Sequence, residues 1–134
     1  MYDTAFGSMK TKSLMYDMVE FSRSIRELHS LAYSLPRVAK RWHPEELEDI
    51  VYNHLAKRTI TRADVGLPEE GDYRPTPEYI YRQSRVVGIM CLSNYPSQKN
   101  LDMILSYADS DIKYLKEHAE KYAKIVRDKM SEMQ

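Results

Sequence analysis

Four histidines and one cysteine carry most of the reactive potential of this 134-residue chain. A histidine can hold a metal or move a proton near neutral pH, and a thiolate can attack an electrophile, so their neighbours decide whether either chemistry is available. Cys91 sits in Val86-Val87-Gly88-Ile89-Met90-Cys91-Leu92, the most apolar stretch of the chain, where burial raises a thiol's pKa and leaves it inert. His29 and His118 fall at the edges of apolar helical stripes and read as partly buried residues bonded to a neighbour. His43 precedes Pro44-Glu45-Glu46 and suits a helix cap. His54 stands near the middle of an apolar face, and Arg58 follows on the same side one turn later. Arg58 then needs an acidic partner, snorkels to water, or marks an open binding site.

Metal binding on helices needs Glu-x-x-His pairs converging from several elements, and the chain has none. Glu45, Glu46, Glu48 and Asp49 are accounted for as a favourable first helical turn. Glycine-framed serines and phosphate-cradling glycine loops are absent as well. No metal, no cofactor and no catalytic residue is expected on these grounds. Two segments nonetheless, Arg23 to His29 and Arg37 to His43, resemble the arginine-and-histidine signature of HEPN ribonucleases, small helical proteins that cleave RNA at a composite dimer site. That resemblance implies that Arg23 or Arg37 stabilises a phosphate while His29 or His43 moves a proton.

The elements that would position these residues are helical. Leu14, Met18, Phe21, Ile25, Leu28, Ala32 and Leu35 alternate in steps of four and three, one stripe of a first helix that Pro36 should end or kink. A second helix starts at Pro44, capped by His43, buries Leu47, Ile50, Val51 and Leu55, and fades near Thr61. Residues 63–76, with Gly66, Pro68, Gly71 and Pro75, form an acidic connection. A third helix runs from a Thr76 cap and Pro77 to about Asn94. Its second half is apolar on every side and must be covered on every side. The covering is either a partner, with Ile89 and Met90 facing outward and Arg82 and Arg85 at the polar end, or the acidic connection or N-terminal arm.

After Asn94-Tyr95-Pro96, Ser97 caps a fourth helix whose seam is Leu101, Leu105, Ala108, Ile112, Leu115, Ala119, Tyr122 and Val126. A single helix over 98–132 would be on the order of 50 Å long. The fold expected is therefore all-α, an antiparallel up-down-up-down four-helix bundle with a long C-terminal helix. Residues 13–134 form one domain. The Gly7-Ser8-Met9 junction reads as an expression scar, so residues 1–12 are set aside as a disordered arm or scar.

Bulk properties narrow the function class. Lys plus Arg and Asp plus Glu balance at 20 each, so no global field draws the chain to nucleic acid, and such affinity must come from a local basic patch. Tyr79, Tyr81, Arg82 and Arg85 are candidates for that patch, a stacking and phosphate-contacting surface for RNA or DNA. A lone cysteine and the lack of a long apolar run point to a reducing compartment, no membrane span, and a cytoplasmic location.

A broader resemblance rests on Leu28 to Arg37, with its Leu35-Pro36-Arg37 stop after a long amphipathic helix, and on the order of elements that follows. It is similar to the four-helix-bundle family of rRNA intervening-sequence proteins and diversity-generating retroelement accessory proteins. The likeness implies a non-enzymatic homo-oligomer, a pentamer among the forms it allows, that binds a reverse transcriptase and nucleic acid. The expectation is thus a non-catalytic adaptor or accessory subunit binding a protein partner, with a nucleic-acid-processing enzyme and its nucleic acid as one such partner. Its binding residues would be Ile89, Met90, Arg82, Arg85, His54 and Arg58. The alternative is the HEPN-like ribonuclease.

Overall fold

The computed structural model describes residues 15–17, 19, 25–56 and 77–133, and every regular element among them is helical. In order these are α1 (Ile25–Trp42), α2 (Glu45–Val51) running into a π-helical turn (Tyr52–Ala56), α3 (Pro77–Leu92), α4 (Gln98–Leu105) and α5 (Lys113–Glu132). The all-α class expected from periodicity holds. Residues 1–12, the acidic connection 63–76, Arg23 and Arg58 lie outside the described residues.

Pro36 lies inside α1 instead of ending it. Proline removes one backbone donor, but Val38 and Ala39 extend the buried row of Leu28, Leu31 and Leu35 beyond it. Each large apolar side chain so buried contributes roughly 1.5–3 kcal/mol, enough to carry the helix past the missing bond. Lys40 and Arg41 in the last turn complement the negative end of the helix dipole. The helix closes at His43, whose φ of 47° is left-handed. Its N–H donates to the carbonyls of Ala39 (3.1 Å) and Val38 (3.3 Å), as a residue in that conformation does after a C-terminus. His43 therefore terminates α1, and Pro44 takes the cap position of α2, one residue earlier than its expected place.

α2 opens on Glu45, Glu46 and Glu48 and buries Leu47 and Val51, as its pattern predicts. It then widens into the π turn, where Leu55 and Ala56 are buried and His54 is half-buried. α3 lies at the centre, in contact with α1, α2, the π turn and α5. Its all-round apolarity is thus covered from within the same chain. Ile89 is fully buried, contrary to the expectation that it faces a partner, and Met90 is half-buried against the core.

The expected long C-terminal helix is two helices, separated by residues 106–112. Ser106, Asp109, Ser110 and Asp111 compete with helical hydrogen bonds there. Ser106 Oγ donates to Met103 O, and Ser110 Oγ accepts from Ile112 N (3.1 Å). The break lets α5 pack against both α4 and α3, with Leu115, Ala119, Ala123 and Val126 inward. Ser97 caps α4 as expected, accepting from Asn100 N at 3.1 Å.

Candidate binding surface

Of the residues expected to form a polar patch on α3, Arg85 is buried and Tyr79, Tyr81 and Arg82 are half-buried. The carbonyls of the last two residues of the π turn are met by side chains of other elements. Leu55 O accepts from Ser84 Oγ (2.9 Å) and Arg85 Nη1 (2.8 Å), and Ala56 O accepts from the Tyr107 hydroxyl. Arg85 is 4% exposed and its guanidinium lies 4.4 Å from the Tyr81 ring centre. Arg82 is half-buried, 4.4 Å from the Tyr79 ring centre and 4.5 Å from that of Tyr114. These arginines fasten α3 to the π turn and to α5. Arg85 is too buried to reach a phosphate, which corrects its assignment as an exposed contact.

A second polar knot joins the ends of α1, α3 and α4. The His43 ring stacks on Tyr95 with centres 4.3 Å apart, and its Nε2–H donates to Asn94 O at 2.9 Å. The Tyr95 hydroxyl donates to Pro44 O (2.6 Å), and the fully buried Asn100 donates to Glu48 Oε2 (2.7 Å) and Tyr95 O (2.8 Å). Lys129 Nζ donates to Ser93 O at 3.1 Å. Burial pushes the Tyr95 hydroxyl and the Cys91 thiol well above their ordinary pKa, and the charge of Glu48 adds to both. Burial likewise raises Tyr107, against the opposing charge of Arg85. Tyr16 is raised by burial and by its 3.0 Å hydrogen bond to Glu46. All four groups stay protonated and neutral at physiological pH, and Cys91 offers no thiolate.

Two open clefts flank these knots. One of about 300 Å³ is lined by His43, Glu48, Tyr95, Pro96, Ser97 and Met133. The other, about 430 Å³, is lined by Tyr52, Lys99, Asp102, Met103, Ser106 and Tyr107, with Lys99 Nζ 4.3 Å from the Tyr52 ring centre. Among the described residues no group of three or more His, Cys, Asp or Glu is placed to hold a metal ion. No described helix is long and apolar enough to cross a membrane.

The face of α1 opposite its core stripe is the cationic surface that sequence reasoning passed over. His29, Tyr33, Arg37, Lys40 and Arg41 are all exposed, at helical steps of three and four. Tyr33 is 60% exposed and carries the Arg37 guanidinium 4.0 Å from its ring centre. Arg41 continues the row to Trp42 at the helix end, 5.3 Å from the indole centre, with Trp42 42% exposed. No acidic residue occurs from Leu28 to Pro44. That acid-free run, with Tyr33, Arg37 and Arg41 four apart, is the signal available in the sequence. Of the residues expected for an RNA-cleaving pair, His29 and Arg37 share this exposed face. His43 uses its ring to lock α1 to the end of α3. Compared with protein-family models, with curated proteins and with solved structures, the chain matches none.

Proposed function

We propose that the chain is a non-catalytic helical-bundle adaptor or accessory subunit of the cytoplasm. It binds a protein partner, a nucleic-acid-processing enzyme being the partner that best suits its surface, together with the nucleic acid that enzyme handles. The carrying observation is the division of its cations. Arg85 is buried in the fold and Arg82 is half-buried against Tyr79 and Tyr114, whereas Arg37, Lys40 and Arg41 stand outward beside Tyr33 and Trp42 on one helix. In a chain of zero net charge, such a local row among the described residues is where a polyanion is drawn.

In this reading the four limbs of an antiparallel bundle are α1, α2 with its π turn, α3, and the α4–α5 pair. Self-association belongs to the same proposal, with Met90, Tyr114 and Met133 as apolar contacts in place of Ile89. The last two are 40% and 69% exposed.

The discriminating experiment incubates the pure protein with labelled RNA and measures both retention on heparin and RNA integrity. Expected are intact RNA and heparin retention that Arg37→Glu with Arg41→Glu abolishes. RNA cleavage that disappears in His29→Ala or His43→Ala would replace the adaptor reading by the HEPN-like ribonuclease. Light scattering tests self-association, and a monomeric mass unchanged by Met90→Glu would remove it.

A further inference from the structure

We infer that the outward face of α1 is a docking surface for an unpaired nucleic-acid strand, RNA or DNA, held by base stacking on Tyr33 and phosphate contacts from Arg37, Lys40 and Arg41. The inference rests on the adaptor reading and names the ligand of its basic face.

Three observations select this occupant. Arg37, Lys40 and Arg41 lie within two turns of one helix, so a single phosphate backbone can run past all of them. Tyr33 is a large aromatic left 60% exposed beside them, at a position where a solvated polar residue would serve the fold equally well. Its ring already carries one planar cation, Arg37 at 4.0 Å, and the surface still open admits a base as the next layer. Trp42, reached through Arg41, offers a second platform at the helix end, about 13 Å along the axis from Tyr33.

A duplex fits this face less well. Its phosphates could meet the cations, but its bases are stacked on each other and have no face to give Tyr33. An acidic peptide would likewise satisfy the charges and leave the ring open. Stacking is tolerant of base identity because every base has a π face, so weak sequence preference is part of the inference.

The test is fluorescence anisotropy of labelled oligothymidylate, oligouridylate and a mixed-sequence duplex of equal length, with the full chain at low salt. Expected is tighter binding of the single strands than of the duplex. Tyr33→Ala should weaken single-strand binding about tenfold, while Tyr33→Phe, which keeps the ring, should not. Log affinity should fall with log salt at a slope of about −2, three phosphate contacts at roughly 0.7 each. Trp42, the only tryptophan, should be quenched by the single strands. Tyr33 is surface-exposed, so its variants fold, and circular dichroism verifies that. Duplex bound as tightly as single strand, with Tyr33→Ala without effect, would overturn the strand assignment and leave the adaptor reading standing. Binding of none of these nucleic acids, with heparin still retained, would assign the face to an acidic protein and overturn the inference. Loss of heparin retention as well would overturn the adaptor's basic face itself.

Discussion

Gly88 lies on α3 against the π turn, and replacing it sets two effects of opposite sign against each other. Alanine in a helix interior is about 1 kcal/mol more favourable than glycine. A Cβ at Gly88 would, however, lie 3.1 Å from Ala56 N, 3.3 Å from Ala56 Cα and 3.3 Å from Leu55 Cβ. Two of these three atoms are backbone, and that backbone is held by the bonds from Ser84, Arg85 and Tyr107 to Leu55 O and Ala56 O. It cannot give way as a flexible side-chain end would, so over-packing at the upper part of its usual 1–3 kcal/mol range outweighs the propensity gain. Gly88→Ala is expected to lower stability by about 1–2 kcal/mol, and Gly88→Val, with two further methyl groups and a β-branch, by more than that. Urea unfolding followed by circular dichroism measures this, with the midpoint falling and the slope unchanged. A Gly88→Ala protein that is more stable by about 1 kcal/mol, the value propensity alone gives, would refute the close approach and with it the seating of α3 on the π turn.

Tyr107→Phe removes the hydroxyl that meets Ala56 O while keeping the ring beside Arg85, 6.0 Å from its centre. The expected cost is about 1–2 kcal/mol, read as a lower urea midpoint, and an unchanged midpoint would show that the π turn does not depend on this bond. Alkaline pH probes the raised acids together. In the unfolded chain Cys91 loses its proton near its ordinary 9.0 and Tyr95 and Tyr107 near 10.0, whereas the folded chain holds on to them to higher pH. Above about pH 9 the unfolded state therefore binds fewer protons, and stability falls by roughly 1.4 kcal/mol per pH unit for each group engaged. Their full contribution is present below that pH, and Tyr16, more open to solvent, adds a smaller share. Urea titrations at rising pH should show a plateau at neutral pH and a decline beyond it, and a flat profile up to about pH 11 would contradict the burial of these groups.

What was legible in the sequence is what periodicity and capping control. Leu28 and Leu35, Leu47 with Val51 and Leu55, and Leu115 with Ala119 and Val126 occupy the core faces their spacing assigns. The Ser97 cap and the acidic first turn of α2 are also where local chemistry places them. The failures share a cause, since each is a tertiary override of a local rule. Pro36 is tolerated because Val38 and Ala39 have a core to enter beyond it. The seam from Leu101 to Val126 reads as one helix on a wheel, yet Ser106 and Asp109-Ser110-Asp111 break it, because folding back buries more of α3 than projecting into solvent would. Ile89, expected to face a partner, is buried within the chain, because the α4–α5 break lets α5 fold back against α3. On the candidate surface, the spacing to His43 marks Arg37 in the sequence. The outward row that includes Tyr33, Lys40 and Arg41 carries no apolar periodicity, and its exposure opposite the core stripe is set by how α1 packs.

The same residue type does opposite work on α1 and α3, and the surroundings determine which. A guanidinium keeps its charge when buried, so Arg85 requires fixed negative ends of dipoles around it, supplied by Leu55 O and the faces of Tyr81 and Tyr107. Its charge is thereby spent on joining α3 to the π turn. Arg37 and Arg41 rest on Tyr33 and Trp42 at the surface, where solvent screens them and an arriving anion can displace that solvent. Substituting Arg85 would thus depress binding only by loosening the fold, and substituting Arg37 would depress binding with the fold intact. Salt separates the two cases, because buried interactions are screened little and surface ones strongly. Binding through α1 has to weaken as ionic strength rises under conditions where the urea midpoint stays nearly constant. A midpoint that falls in step with binding would mean that the exposed cations also hold the bundle together, and the division of labour between α1 and α3 would not stand.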